Sequence, residues 1–222
     1  HKCFYCDFYS EVRPGKIDDY VDALCRHIES ERPGHGQKNV DSIFIGGGTP
    51  SLMKAAHIES IFKSITEKFS INDDAECTLE SNPSSLTRDK MISYKNAGIN
   101  RLSIGIQSLI DKELKFLDRI HTGENAKEAF QEAQQAGFDN INIDLMFSLP
   151  GQNMKNVEAN LDAAIKFNPA HISAYSLIYE PGTPLFEQFE KGKIAKLPED
   201  IDADIYKFVS EKLTAAGYGH YE

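Results

Sequence analysis

Short β-rich apolar runs alternate with longer amphipathic runs along nearly the whole chain, and no other feature limits the fold as tightly. Strand candidates are Val40–Ile45, Glu76–Glu80, Arg101–Gln107, Asn140–Phe147 and His171–Leu177. Helix candidates lie near Ile17–Glu31, Lys54–Phe69, Arg88–Asn96, Asn125–Ala136 and Asn153–Phe167. A last helix, from about Glu199 to Ala216, puts Ile201, Ile205, Phe208, Val209 and Leu213 on one face. Gly98, Gly137 and Gly217 are expected helix stops, and Pro181, Gly182 and Pro184 mark a long loop. The repeated β-α order favours a parallel sheet with helices outside, either open and doubly wound or closed toward a barrel. With no low-complexity linker, residues 1–222 read as one domain.

In parallel α/β architectures ligands sit at the carboxyl ends of the strands, and the polar residues of this chain fall there. Gly46-Gly47-Gly48-Thr49-Pro50 follows one strand and Glu80-Ser81-Asn82-Pro83 ends another; Gln107, Asp144 and Ser176 come late in the other three. Alternation sharpens the pattern. Glu76, Thr78 and Glu80 share a face opposite Cys77 and Leu79, and Asn142, Asp144 and Met146 share a face opposite Ile141, Ile143 and Leu145. An open sheet covered on both faces is apolar on both, so one polar face favours a barrel-like sheet wrapped around a ligand.

Composition excludes other classes. A formal charge of -10 repels polyphosphate, so nucleic acid is not an expected partner. No apolar run approaches the roughly 18 residues of a membrane span, so no transmembrane segment is expected. A chain of 222 residues needs no disulfides for its core, and the cytoplasm is the expected compartment. His1 is not a natural start, so the N-terminus is expected to be absent from the sequence.

Two short motifs could carry chemistry. Cys3-Phe4-Tyr5-Cys6 is a C-x-x-C pair, compatible with zinc, a redox disulfide or a plain loop. Zinc needs about four ligands, and neither Cys25 nor Cys77 has a paired Cys or His nearby. Gly46-Gly47-Gly48-Thr49 ends a strand, where glycine lets backbone approach a ligand closely; a tight βα turn is the simpler reading. Neither a phosphate loop nor a dinucleotide fingerprint fits it.

The larger set of motifs resembles the oxygen-independent coproporphyrinogen oxidase-like family of radical S-adenosylmethionine proteins. The motifs are the cysteine loop, Glu80-Ser-Asn82-Pro83, Arg101 through Ser108 with Gly105 and Gln107, Arg119-Ile-His121, Asp144 through Gln152, and Tyr175-Ser-Leu177. They occur in the family's order and cover nearly the whole chain. The resemblance implies a partial (β/α)6 TIM-like barrel lacking both ends, with a [4Fe–4S] cluster and S-adenosylmethionine as cofactors. It implies that Cys3 and Cys6 are cluster ligands; the first cysteine of the family's loop would fall two residues before His1. It further implies Tyr5 beside adenine, Gly47, Gly48 and Thr49 at the methionine moiety, Glu80, Gln107, Arg119 and Asp144 as polar contacts, and Ser176 closing over the cofactor. Three thiolates leave one iron of such a cluster open.

The family's oxidases carry a further cysteine two positions past the last cluster cysteine, where this chain has Phe8. That resembles the family's heme-chaperone branch, which implies heme as cargo, passed to an acceptor protein. The branch's heme-binding histidine motif would lie beyond Glu222. The alternatives are oxidative decarboxylation of coproporphyrinogen III, a radical methyltransferase, and a metal-binding module without the cluster.

Other polar residues read as structural. Cys25 and Cys77 fall on core faces, and His121 reads as a cap or hydrogen-bonding residue at least as readily as a heme contact. His171 reads as structural; His27, His35, His57 and His220 show no metal spacing. Asp200–Asp204 reads as a solvated helix start, and Asn82-Pro83 as a strand terminator.

Overall fold

The computed structural model describes residues 2–31 and 39–221, so His1 and His35 lie outside the described residues. The elements run α1 (Ile17–Ser30), β1 (Val40–Ile45), α2 (Ala55–Lys68), β2 (Ile71–Ser81), α3 (Arg88–Asn96), β3 (Arg101–Gln107), α4 (Asp111–Phe116), α5 (Gly123–Gln135), β4 (Asn140–Phe147), α6 (Met154–Phe167), β5 (His171–Ser176), α7 (Pro184–Glu190) and α8 (Glu199–Ala215). The strands pair in parallel in the order β1-β2-β3-β4-β5 and curl into a half-barrel. The described residues hold five of the six strands of the expected (β/α)6 barrel.

Alternation decides which side chains meet the helices. Leu79, Leu102, Ile104, Ile141, Ile143 and Leu145 pack outward against Ile58, Met91, Phe130 and Leu161. Cys77 is buried, and Cys25 packs at the edge of the same core, as their faces required. The opposite face is polar: Glu76, Thr78, Glu80, Arg101, Ser103, Asn142, Asp144 and Ser173 line the concave side in successive registered layers. Its amino-terminal layer is closed by the Arg101–Glu76 ion pair at 2.8 Å, with Asn140 also donating to Glu76.

Helix ends follow local chemistry. Thr122 and Asn125 form a reciprocal capping box at α5, and Thr87 and Asn153 cap α3 and α6. Gly98, Gly137 and Gly217 follow α3, α5 and α8 as expected. Three features depart from the sequence reading. Strand β2 starts at Ile71 rather than Glu76, across a register shift against β1 between Val40 and Ser42. Pro184 opens α7 inside the segment expected as loop, because proline fits the first helical turn. Asp202 is not simply solvated, since it accepts a hydrogen bond from the Ser148 hydroxyl.

A second apolar cluster caps the carboxyl end of the barrel. Leu117, Met146, Leu149, Leu177, Tyr179 and Leu185 form it, and Phe4, Tyr5 and Phe116 pack against it. It docks the cysteine loop: the Phe4 ring meets Phe116 edge-on at 5.5 Å, and the Leu185 amide donates to the Phe4 carbonyl at 3.0 Å.

Candidate functional site at the carboxyl mouth of the half-barrel

Cys3 and Cys6 bracket a turn closed by the Cys6 amide on the Cys3 carbonyl at 3.1 Å, and both thiols are half-buried. Directly beneath lies Arg119. A left-handed residue, Asp118 at φ 56°, turns the chain after α4 so that Arg119 points inward. Its Nη2 donates to the Gly105 carbonyl at 2.6 Å and its Nη1 lies 3.8 Å from Cys3 Sγ, while its buried Nε has no protein partner among the described residues. Gly105 leaves room for this: a Cβ there would sit 3.1 Å from Gln107 Nε2 and 3.5 Å from Arg119 Nη2.

The glycine turn meets the same hollow from the other side. The Gly47 amide donates to Glu80 Oε2 at 2.9 Å, and a Cβ on Gly46 would collide with the Phe44 ring at 2.7 Å. Gly48 approaches Ser10 of the cysteine loop, and the Thr49 hydroxyl donates to the Gly48 carbonyl at 2.7 Å. Phe44, 64% exposed, lies on the concave side beside Glu80.

Two carboxyls sit in this hollow without a paired cation among the described residues. Burial pushes Glu80 above the ordinary carboxylate range, and the charge of Asp144 adds to the rise, against the Gly47 amide. Burial likewise pushes Asp144 up, against hydrogen bonds from Asn142, Ser103 and Ser173 and the charge of Arg119. Among the described residues neither carboxyl forms an ion pair. Burial raises the Tyr5 hydroxyl to about 12, with Arg119 pulling the other way.

Gln107 takes a left-handed backbone, φ 67°, at a shift in the β3–β4 register. Such a conformation is costly for a residue with a side chain. It turns the Gln107 side chain into the hollow, where the Tyr175 hydroxyl donates to Oε1 at 2.8 Å. Cys3, Tyr5, Gly47, Glu80, Gln107, Arg119 and Asp144 thus converge. Cys6 closes the cysteine turn, and Gly48 and Thr49 continue the glycine turn. Ser176 falls outside the convergence: by alternation it shares the helix-side face with Ile172 and Ala174, and Tyr175 faces inward instead.

Sequence reasoning passed over Tyr175, Phe44 and Ser103. The period of two along β5, β1 and β3 was the available signal for each. His121 is buried, its Nε2 hydrogen-bonded to the Ile106 carbonyl at 3.0 Å, and so serves the bulge that carries Gln107. No group of three or more His, Cys, Asp or Glu gathers to hold a metal among the described residues. The described chain therefore offers two thiols, an arginine with an orphaned donor, a glycine-lined edge and two raised carboxyls. That set suits a ligand with a cationic end and hydrogen-bond acceptor groups.

A curled parallel half-barrel with this mouth defines a class, and the sequence falls in it: residues 1–164 match the family model described as "Radical SAM superfamily", and the chain belongs to that superfamily. Among curated proteins it is 35% identical over 224 residues to "Heme chaperone HemW" of Bacillus subtilis (strain 168), covering 100% of this chain and 59% of that protein. To the protein of the same name in Escherichia coli (strain K12) it is 40% identical over 225 residues, covering 100% of this chain and 58% of that one. The chain thus spans 58–59% of the length of these relatives. A solved structure described as coproporphyrinogen III oxidase (HemN) from Escherichia coli, a radical SAM enzyme, superposes with a TM-score of 0.87 at 26% identity, over 99% of this chain and 51% of that one. An archaeal Elp3 from Methanocaldococcus infernus shares the fold, with a TM-score of 0.65 at 19% identity over 89% of this chain and 51% of that one.

Proposed function

We propose that this chain is the S-adenosylmethionine-binding core of a heme chaperone of the HemW type. In this reading Cys3 and Cys6 supply two thiolates to a [4Fe–4S] cluster. When bound, a cluster with one open iron supplies a low-potential electron to S-adenosylmethionine. Glu80 and Asp144 receive the ligand's cationic end, and their raised pKa values mark the desolvation that a cation relieves. Arg119, with its free Nε, and Gln107 bind ligand acceptor and hydroxyl groups. Gly47, Gly48 and Thr49 present backbone to the methionine moiety, and Tyr5 lies against the adenine. The observation that carries this reading is the convergence of Glu80, Gln107, Arg119 and Asp144 beside Cys3 in one hollow.

The heme role rests on the similarity to proteins named heme chaperone HemW and on Phe8, 58% exposed, where the oxidases of the family carry a cysteine. The cargo is heme and the recipient a heme-acceptor protein. Four free cysteines suit the cytoplasm, and no helix among the described residues is long and apolar enough to cross a membrane.

The likeness to the coproporphyrinogen III oxidase structure supports a second reading, an oxidase acting on a porphyrinogen. Anaerobic titration of the reconstituted full-length protein with heme, beside an assay with coproporphyrinogen III, separates the two. Heme binding without turnover supports the chaperone; formation of protoporphyrinogen without heme binding overturns it.

A further inference from the structure

Below the mouth, the concave face carries a row of hydrogen bonds centred on Asn142. This side chain is 2% exposed. Its Nδ2 donates to Asp144 Oδ1 at 2.8 Å and to the Ser103 hydroxyl at 2.7 Å. Its Oδ1 accepts from His171 Nδ1 at 2.6 Å and from the Ser173 hydroxyl at 3.2 Å. On the far side, His171 Nε2 meets the Tyr221 hydroxyl. The registry of the sheet sets up this row, since Asn142 pairs with Ser103 on β3 and with His171 on β5, and Asp144 pairs with Ser173.

The chemistry of the row has one direction. Ser103 and Ser173 carry hydroxyls that donate or accept, so they adapt to either amide orientation. Asp144, when ionised, only accepts. Asn142 must therefore turn its nitrogen to Asp144 and its oxygen to His171. The imidazole must then carry a proton on Nδ1, because a bare Nδ1 would set two acceptors against each other at 2.6 Å. A flipped Asn142 would point its oxygen at the Asp144 carboxylate, and a buried amide left unpaired costs about 1–3 kcal/mol.

We infer that His171, acting through Asn142, is a positioning residue that holds the Asp144 carboxylate toward S-adenosylmethionine. The inference rests on Asp144 contacting that ligand, as proposed above. His171 touches no ligand; its Nδ1–H fixes the amide, and the amide fixes the carboxylate. The chain spans the barrel from its amino-terminal end, where Tyr221 sits, to the cofactor face.

Two measurements on the reconstituted full-length protein test this. The first is equilibrium binding of S-adenosylmethionine to wild type, His171→Leu, His171→Asn and Asp144→Asn. Leucine removes the donor, whereas asparagine can place an amide N–H near the position of Nδ1. The expected result is affinity about tenfold weaker in His171→Leu and within about threefold of wild type in His171→Asn, the tenfold loss being that of one bond to a charged group. Wild-type affinity in His171→Leu, or equal losses in both His171 variants, overturns the inference. Unchanged affinity in Asp144→Asn overturns instead the assignment of Asp144 to the ligand. The second measurement needs no variant: nitrogen-15 NMR of the wild-type imidazole is expected to show a proton on His171 Nδ1. A tautomer protonated on Nε2 alone overturns the inference even if the leucine variant fails to fold.

Discussion

The backbone amide of Gly47 donates to Glu80 Oε2 at 2.9 Å, so the turn after β1 and the end of β2 are joined through a carboxyl that burial drives toward its protonated form. The same force acts on Asp144. A carboxyl whose folded pKa lies above its unfolded value stabilises the fold in acid. That contribution is complete below the unfolded pKa and is lost as pH rises through the folded one.

Glu80→Gln and Asp144→Asn remove this burden at neutral pH. Each is expected to raise the urea midpoint of the ligand-free protein at pH 7 while weakening S-adenosylmethionine binding about tenfold or more. Urea titration and equilibrium dialysis on the same preparations check both halves.

His121 titrates in the opposite sense. Burial, helped by the charge of Arg119, lowers its pKa from 6.5 to about 4. The unfolded chain then binds that proton more readily, so the contribution is full above the unfolded pKa and is lost as pH falls toward about 4, by at most about 1.4 kcal/mol per pH unit. His121→Gln keeps a donor for the Ile106 carbonyl and is expected to flatten this part of the profile, as read by urea midpoints from pH 7 to pH 4.

Gly46 and Gly47 are expected to fail differently. Gly47 has φ 119° with open space around its missing Cβ, so Gly47→Ala costs backbone strain of about 1–2 kcal/mol, visible in chemical denaturation. Gly46→Ala pushes on the edge of the Phe44 ring and on Glu80, side chains that can move, so it is expected to disturb ligand affinity more than stability.

Glu113 anchors the two loops beneath Arg119. It accepts from Ser108 at 2.6 Å, Asn160 at 2.8 Å and Gln152 at 2.9 Å. Glu113→Ala strands three buried polar groups and is expected to cost about 3 kcal/mol, measured as loss of unfolding free energy. Glu113→Gln, keeping one acceptor, is expected to cost less.

Much of this arrangement was legible in the chain. The alternation of Glu76, Thr78 and Glu80 with Cys77 and Leu79 separates the concave face from the core with no further information, and the motif order points to the mouth. What stayed hidden depends on backbone geometry. Gln107 and Asp118 adopt left-handed conformations that their residue types do not announce, and those two turns aim Gln107 and Arg119. Ser176 was carried over from the family motif Tyr175-Ser-Leu177, yet the pleat of β5 turns the tyrosine inward. The early start of β2 was masked by Asn72, Asp73 and Asp74, polar residues that β1 nonetheless carries along its edge through a register shift.

The most direct test is electron paramagnetic resonance of the reduced, anaerobically reconstituted full-length protein with and without S-adenosylmethionine. The account predicts a [4Fe–4S] signal that changes shape when the ligand is added and disappears in Cys3→Ser. A signal indifferent to saturating S-adenosylmethionine, or a protein that takes up zinc and forms no cluster, contradicts it.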